Sequence, residues 1–267
     1  MCELLGISAR LPTRMTLSMS RLAARGDPAR ALGDGWGVAL HDGADAMVVR
    51  RPEPAKQSAW MRAVESAHQP TALAIAHIRR ATQGSVALRN TQPFCRELGG
   101  RLHVFAHNGN LPALLEQPGP TDARFQPIGD TDSEVAFCTL LERLASLWAG
   151  GPPSLAARRR VIGDFAAALR TLGPANFLYT DGDTLFAHAD RRTQADGQIA
   201  PPGLVMVTRS CACDSEAEVA PVLHLSPTDT TQTVVILASA PLTEETWTPL
   251  PAGTLIAARA GAIITDH

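Results

Sequence analysis

The sequence has almost no lysine: of its 24 basic residues only Lys56 is a lysine, and 26 acidic residues bring the formal net charge to −2. Lys56 follows Ala55 in a proline-flanked segment, so no Gly-Lys-Ser/Thr phosphate loop is present, and a lysine Schiff base is not expected. A basic excess is typical of proteins that bind nucleic acid. We therefore expect no nucleic-acid partner.

Long apolar runs are also missing. No run approaches the roughly 20 residues that a bilayer-spanning helix needs, and Glu3 stands where a secretory signal carries basic residues. The five cysteines are an odd number and are scattered, which fits a reducing compartment better than a disulfide framework. They are Cys2, Cys95, Cys138, Cys211 and Cys213. We expect a cytoplasmic protein with no membrane partner.

Short β-type runs occur in two blocks, separated by two helices. The first block contains the runs 2–8, 36–41, 46–50, 73–79 and 102–107, with a weaker helical pattern at 57–67. The second block begins with a hairpin that turns at Asp181-Gly182. It comprises the hairpin 176–189 and the runs 204–208, 233–238, 255–259 and 262–265. Because no linker or repeat interrupts this order, it predicts one layered α+β domain.

The two helices between the blocks are amphipathic. Apolar residues recur at three- and four-residue spacing over 133–148, which predicts a helix with one face on a core. A second helix is predicted over 155–172, where Gly173-Pro174 ends it. Its three consecutive arginines, Arg158, Arg159 and Arg160, are expected on the solvent-facing side.

Cys2 is a candidate nucleophile because of its position. If Met1 is removed, the thiol and the free α-amine belong to one residue. Their ordinary pKa values are about 8.5 and about 7.7–8.0, so the amine can accept the thiol proton near neutral pH and later return it. No separate histidine base is then needed. The alternative is that Cys2 is only a small apolar residue buried at the start of a strand.

Two further segments contain polar groups suited to an active site. Arg79, at a strand end, can form a bidentate fork with a carboxylate, to which Thr82 adds a hydroxyl donor, or it can be an ordinary surface cation. Asn108 and Gly109 can offer N–H donors to an oxyanion, or they can form a tight hairpin turn. On these residues alone, the surface cation and the hairpin turn are the favoured alternatives.

The segment 129–134 opens the first strong helix. Thr131 and Glu134 have the spacing of a capping box, and Asp132 in the first turn complements the helix dipole. Capping does not require a second aspartate beside Asp130. One of these carboxylates can therefore bind a substrate ammonium.

Other kinds of site are not favoured. His103 and His107 are four residues apart, which on a strand separates them by about 13 Å, too far to share one metal ion. Cys211 and Cys213 have no second close pair. Residues 33–37 lack the third glycine of a dinucleotide-binding loop, and no Gly-x-Ser-x-Gly element occurs. We expect neither a metal nor a cofactor.

The order of the candidate segments is more specific than any one of them. A cysteine at position 2, H-x-R-x-A-T-x-G at 77–84, H-N-G at 107–109 and T-D-S-E at 131–134 together resemble the class-II glutamine amidotransferases, whose glutaminase domain uses an N-terminal cysteine. Similar family elements are Arg25-Gly26, Asp34-Gly35-Trp36-Gly37 and Asn90-Thr91-Gln92-Pro93-Phe94. Residues 238–243, Trp247 and 251–253 resemble the stand-alone, YafJ-like bacterial branch.

The resemblance implies an Ntn-hydrolase fold, a four-layer α/β/β/α sandwich, in a single glutaminase domain over residues 1–267. It also implies that the substrate is glutamine, which forms a thioester with the cysteine and releases ammonia. The oxyanion would be held by Asn108 and Gly109, the α-carboxylate by Arg79 and Thr82, and the α-ammonium by Asp132. The implied residues are, as catalytic groups, Cys2, Asn108 and Gly109; as substrate-binding groups, Arg79, Thr82 and Asp132; and as supporting groups, Arg25, Gly26 and Trp36.

The sequence also departs from the family. Members with a synthase domain often have tryptophan where this chain has Arg80, and histidine where it has Gln83. The glutaminase-like segment occupies the whole sequence, so an ammonia-using acceptor would be a separate protein. Two alternatives remain: a γ-glutamyl amide hydrolase with the same nucleophile, and a non-catalytic subunit of a complex.

Overall fold

Two antiparallel β-sheets form the centre of the computed structural model, which describes residues 2–14, 22, 33–67, 69–80, 84–116, 122–212, 218–220, 223–224 and 231–265. Strands are numbered in chain order. The strands of the first sheet are β1 (Glu3–Arg14), β2 (Gly35–Asp42), β3 (Asp45–Arg51), β4 (Pro70–Arg79), β11 (Val205–Ala212), β14 (Thr231–Ala238) and β15 (Thr248–Pro249). Their order is β15-β11-β14-β1-β4-β2-β3, so β1 is the central strand.

The second sheet has six strands. They are β5 (Phe94–Leu98), β6 (Arg101–Gly109), β7 (Ala175–Thr180), β8 (Leu185–Ala189), β16 (Thr254–Arg259) and β17 (Ala262–Ile263). Their order is β17-β16-β8-β7-β6-β5. Two short ribbons pair β9 (Arg192–Thr193) with β10 (Ile199–Ala200), and β12 (Glu218–Ala220) with β13 (Leu223–His224).

Helices cover the outer face of each sheet. The α-helices are α1 (Ala59–Ala67), α2 (Ala113–Glu116), α3 (Asp132–Trp148) and α4 (Leu155–Leu172), and the 3-10 turns are Ala55–Gln57 and Leu88–Asn90. Met61 of α1 packs on the first sheet, while α3 and α4 pack on the second through aromatic residues such as Phe137 and Phe165. Among the described helices, none is both long and apolar enough to cross a membrane.

Successive side chains of β1 point to opposite faces of the first sheet. Leu4 points into the core between the sheets, where it joins Val104 and Leu178 from the second sheet. Leu5, its neighbour, points the other way into the outer core with Trp36. Cores therefore lie between the sheets and outside each of them. The molecule is a four-layer α/β/β/α sandwich, which confirms the expected fold class.

The long elements predicted from the sequence are confirmed. The helix over 155–172 has the predicted bounds, and the helix over 133–148 begins one residue earlier, at Asp132. The hairpin of β7 and β8 turns at Asp181-Gly182, where Gly182 has a φ of +82°. The short strands β5, β9, β10 and β15 were not predicted, because two to five residues carry too little periodicity.

The solvent-facing position expected for Arg158 is wrong. Arg158 is buried, and its Nη1 donates to Oδ2 of Asp181 at 2.6 Å. Asp181 lies in the β7–β8 turn and is itself fully buried, so its carboxylate requires a cation from the helix above. Arg159 is half-buried, and only Arg160 is fully on the solvent side.

The hairpin-turn alternative for Asn108-Gly109 is also wrong. Both residues belong to the last part of β6, where Asn108 pairs with Asn176 and Gly109 with Ala175 of β7. The glycine marks a close approach of two backbones and not a turn between adjacent strands.

Candidate active site

Cys2 lies immediately before the central strand β1, at the edge where β4 also ends. The two strands are antiparallel, with Glu3 opposite Ile78, so Cys2 faces the residues that follow β4. The Arg80 backbone N–H donates a hydrogen bond to Cys2 Sγ at 3.3 Å. The Cys2 thiol in turn donates to the Arg80 carbonyl oxygen at 3.5 Å. The backbone of Arg80 thus holds the sulfur through both its N–H and its carbonyl group.

The surroundings of the thiol favour its protonated form. Burial raises the pKa of the Cys2 thiol and Glu3 adds to the rise, whereas the hydrogen bond from the Arg80 backbone and the positive charge of Arg79 lower this pKa. The net direction is upward. A thiol of this kind needs a nearby base before it can act as a nucleophile.

Asn108 connects the second sheet to the nucleophile. Its Nδ2 donates to the Cys2 carbonyl oxygen at 2.7 Å, across 106 positions of the chain. The Asn108 carbonyl oxygen in turn accepts from Nδ2 of Asn176 at 3.0 Å. A side-chain amide nitrogen carries two hydrogens. One hydrogen of Asn108 therefore fixes the Cys2 backbone and the other can serve a ligand.

Gly109 is required by packing. A Cβ atom at this position would lie 1.9 Å from the Pro174 carbonyl oxygen and 2.5 Å from Nε2 of His107. The next residue continues the contact, because the Asn110 N–H donates to the same Pro174 oxygen at 3.2 Å. The strand end therefore lies directly against the start of β7, with no room for a side chain.

Arg79 is the last residue of β4 and is buried. Its Nη2 donates to the Gly84 carbonyl oxygen at 3.1 Å. Burial raises the pKa of the Cys2 thiol, and the positive charge of Arg79 lowers it by a smaller amount. Thr82, the other residue expected to bind the carboxylate, lies outside the described residues, as do Arg25 and Gly26.

Asp132 is the first residue of α3, and its carboxylate is buried. Oδ2 accepts from the Leu111 N–H at 2.6 Å, and Oδ1 accepts from the Ser133 N–H at 2.7 Å. The cap of this helix is as predicted, since Thr131 Oγ1 accepts from the Glu134 N–H at 3.3 Å. Two backbone donors thus fix the position of the carboxylate near the loop that follows Gly109.

His107 links the strand that carries Asn108 to the helix that carries Asp132. Its Nδ1 lies 2.9 Å from Oγ of Ser133, and the Ser133 hydroxyl lies 3.3 Å from Oδ1 of Asp132. Burial lowers the pKa of His107, so the ring is neutral. The candidate oxyanion donor and the candidate ammonium acceptor are therefore parts of one buried network.

A cavity of about 350 Å³ opens beside the sulfur, within the range of roughly 300–1,000 Å³ common for small-molecule sites. Its lining residues are Cys2, Arg80, Asn108, Gly109, Asn110, Pro174, Arg191, Arg192, Thr193 and Ile199. The three predicted catalytic residues thus share one cavity. Arg79 and Asp132 are not in this lining, and Trp36 is fully buried in the outer core.

The ribbon of β9 and β10 forms one wall of the cavity, which the sequence did not predict. Nδ2 of Asn176 donates to the Arg191 carbonyl oxygen at 2.9 Å and so ties this wall to β7. Arg192 is bound by the Glu3 carboxylate at 3.2 Å. The structure explains the position of this wall, because the buried amide of Asn176 must have partners and finds one there.

The part of the chain that the structure describes contains no group of three or more His, Cys, Asp or Glu side chains that could hold a metal ion. His103 and His107 have separate partners, since Nδ1 of His103 lies 2.6 Å from the hydroxyl of Tyr179.

Sequence comparisons point to one family. The model of the class-II glutamine amidotransferases matches residues 1–267. The Escherichia coli protein YafJ is 35% identical over 254 residues, which cover 95% of this chain and 95% of YafJ. A relative from Haemophilus influenzae is 35% identical over 203 residues, 76% of this chain and 68% of that protein.

Solved structures share the fold. A predicted glutamine amidotransferase from Pseudomonas aeruginosa superposes with a TM-score of 0.68 at 29% identity, covering 99% of this chain and 100% of that chain. The glutamine phosphoribosylpyrophosphate amidotransferase of B. subtilis has a TM-score of 0.62 at 17% identity, covering 99% of this chain and 49% of that chain. The four-layer sandwich is therefore of the Ntn type.

Proposed function

The chain belongs to the class-II glutamine amidotransferases, and we propose that it hydrolyses the side-chain amide of glutamine through a Cys2 thioester and releases ammonia. The observation that carries the proposal is the convergence of Cys2 and Asn108 on one cavity, with Asn108 bound directly to the nucleophile's own carbonyl oxygen. The two groups come from different sheets and are 106 positions apart in the chain.

The first half-reaction forms the thioester. After Met1 is removed, the α-amine of Cys2 takes the thiol proton, and Sγ attacks the amide carbon. The oxyanion of the tetrahedral intermediate accepts hydrogen bonds from the second amide hydrogen of Asn108 and from the Gly109 N–H. The C–N bond then breaks, and the ammonium of Cys2 returns the proton to the leaving nitrogen, so that ammonia departs.

The second half-reaction restores the enzyme. Water attacks the thioester carbon and gives one proton to the Cys2 amine, while the same donors hold the second oxyanion. The C–S bond breaks, the sulfur recovers the proton, and glutamate leaves. Burial raises the pKa of the Cys2 thiol, so the cycle requires a base for the thiol proton, and we assign this role to the adjacent amine.

The glutamate half of the substrate would be held by charges at the same edge of the sandwich. Arg79 ends β4, the strand that pairs with β1 after Cys2, and its guanidinium would form a fork on the α-carboxylate, with Thr82 adding a hydroxyl. Asp132, fixed by two backbone donors, would receive the α-ammonium. Trp36, which is buried in the outer core, would support the nucleophile, and the same role is proposed for Arg25 and Gly26, which lie outside the described residues.

The test is to label the enzyme with a glutamine-mimicking electrophile and to map the adduct by peptide mass spectrometry. We expect the adduct on Cys2 only, glutaminase activity that is lost in Cys2→Ala, and an intact mass that lacks Met1. The matched control is Cys95→Ala, a half-buried cysteine on β5 whose removal should leave labelling and turnover unchanged.

Two outcomes contradict the proposal. An adduct on Cys95 or Cys138 would assign the nucleophile elsewhere. Full activity in a preparation that quantitatively retains Met1 would remove the α-amine as the base, since an amide nitrogen has no lone pair able to accept the thiol proton.

A further inference from the structure

The cavity beside Cys2 is lined by several basic residues. Its lining contains three arginines, Arg80, Arg191 and Arg192, and no aspartate or glutamate among the described lining residues. Arg192 is paired with Glu3 at 3.2 Å, whereas Asp190 is bound by Arg170 at 3.1 Å and lies 4.0 Å from Arg191. The charge of Arg191 is therefore less closely matched than that of Arg192, and it favours an anion at this wall.

Arg191 is the cation best placed for a ligand. Its backbone is fixed by Asn176, but its side chain is 43% exposed, and its ion pair with Asp190 is long, at 4.0 Å. The same wall contributes the hydroxyl of Thr193 and the side chain of Ile199, which is 57% exposed. The guanidinium of Arg191 and the hydroxyl of Thr193 can bind a carboxylate, and Ile199 can contact an apolar group. An amino acid offers both a carboxylate and an apolar part.

The position of this wall relates it to the leaving group. The residues proposed for the glutamate half, Arg79 and Asp132, do not line the cavity, whereas Cys2, Asn108 and Gly109 do. If the glutamate half is held by Arg79 and Asp132, as proposed above, the part of the cavity lined by Arg191, Thr193 and Ile199 is open to the group bonded to the γ-carbonyl carbon. In glutamine this group is only NH₂, which is small compared with a volume of about 350 Å³.

We propose that Arg191, Thr193 and Ile199 form a subsite for the amine half of a γ-glutamyl amide, and that this amine half carries a carboxylate, as in a γ-glutamyl dipeptide. The inference rests on the proposed function, because it uses the same nucleophile. Sγ attacks the γ-carbonyl carbon, the C–N bond breaks, and the amino acid leaves with the proton held by the Cys2 amine. Water then hydrolyses the thioester to glutamate.

The experiment compares three substrates by glutamate release: γ-glutamylglycine, its neutral analogue γ-glutamylglycinamide, and glutamine. We expect the wild-type kcat/KM for γ-glutamylglycine to exceed that for γ-glutamylglycinamide by about tenfold, the size of one charge-assisted hydrogen bond at a partly exposed site. Arg191→Ala should reduce this ratio to about one. Arg191→Gln, which keeps part of the side-chain stem, gives the same readout if the alanine variant folds poorly.

The control is Arg62→Ala, which removes one exposed arginine from α1 on the far side of the first sheet and should leave the ratio at its wild-type value. The inference is overturned if the wild type shows no preference for the acidic substrate, or if Arg191→Ala lowers turnover of all three substrates equally, because Arg191 would then hold the glutamate half. Cys2-dependent hydrolysis of glutamine alone would overturn the inference and leave the proposed function standing. No glutamate from any of the three would overturn both.

Discussion

The most informative perturbation is the removal of the Asn108 amide, because this group has two separable roles. In the structure Nδ2 holds the Cys2 carbonyl oxygen at 2.7 Å, and Asn108 is only 3% exposed. Losing this bond leaves a buried carbonyl oxygen without the donor, which costs about 1–3 kcal/mol of stability. Losing the oxyanion donor costs about 10²–10³-fold in kcat, equivalent to about 2.7–4 kcal/mol of barrier. Asn108→Ala should show both effects.

Asn176→Ala is the matched comparison. Asn176 is also a buried asparagine whose amide donates to two backbone carbonyl oxygens, those of Asn108 and Arg191, but it does not line the cavity. Its removal should cost at least as much stability as Asn108→Ala, while kcat falls by less than about tenfold. The assay is steady-state glutamate release with saturating glutamine, together with urea unfolding of both variants.

A third variant tests the direction of the hydrogen bond. Asn108→Asp keeps the size of the side chain but only accepts hydrogen bonds when ionised, so kcat should fall as far as in Asn108→Ala. The reasoning is refuted if Asn108→Ala keeps kcat within about threefold of wild type while its stability drops. Asn108 would then be a structural residue that only positions the Cys2 backbone.

Three further predictions concern the scaffold of the site. Arg158→Ala leaves the buried Asp181 carboxylate unpaired and should cost about 3–5 kcal/mol in urea unfolding, whereas Arg160→Ala on the solvent side should change stability by less than about 0.5 kcal/mol. Burial lowers the pKa of His77 to about 3 in the folded protein, so below about pH 6.5 the unfolded chain binds more protons than the folded protein. The free energy of unfolding must therefore decrease as the pH is lowered. Between pH 7 and pH 5 this loss is about 2 kcal/mol, and His77→Gln should remove it from the measured pH dependence. Gly109→Ala places a methyl group 1.9 Å from a backbone oxygen and should lower both the melting temperature and kcat, while unchanged values would mean that the strand end can move aside.

Periodicity predicts the strands, the two long helices and a layered α+β domain, whereas the four-layer sandwich was expected from the family resemblance. Leu4 and Leu5 point to opposite faces of β1 simply because neighbours on a strand do, and the two long helices follow from apolar spacing of three and four. The predicted solvent-facing position of Arg158 is wrong because helical periodicity carries no information about contacts between distant segments. The partner of Arg158 is a carboxylate in a turn 23 residues later, and only the packing of α4 over that turn brings the two together.

The candidate site also contains residues that the sequence indicates and residues that only the structure reveals. Cys2, Asn108 and Asp132 stand in motifs whose residue types suggest their chemistry, so the sequence alone is enough to single them out. The cationic wall has no such motif, since Arg191 lies 189 residues from Cys2 in a short segment with no pattern. It reaches the cavity because Asn176, at the start of β7, binds the backbone of β6 and the backbone of Arg191 at once. A Cβ at Gly203 would lie 1.6 Å from the Asn176 side-chain oxygen, so a glycine there is a condition for this link. The residue types around the nucleophile are thus recognisable in local motifs, whereas the proposed subsite for the leaving group depends on one buried amide that joins β6, β7 and the segment of Arg191.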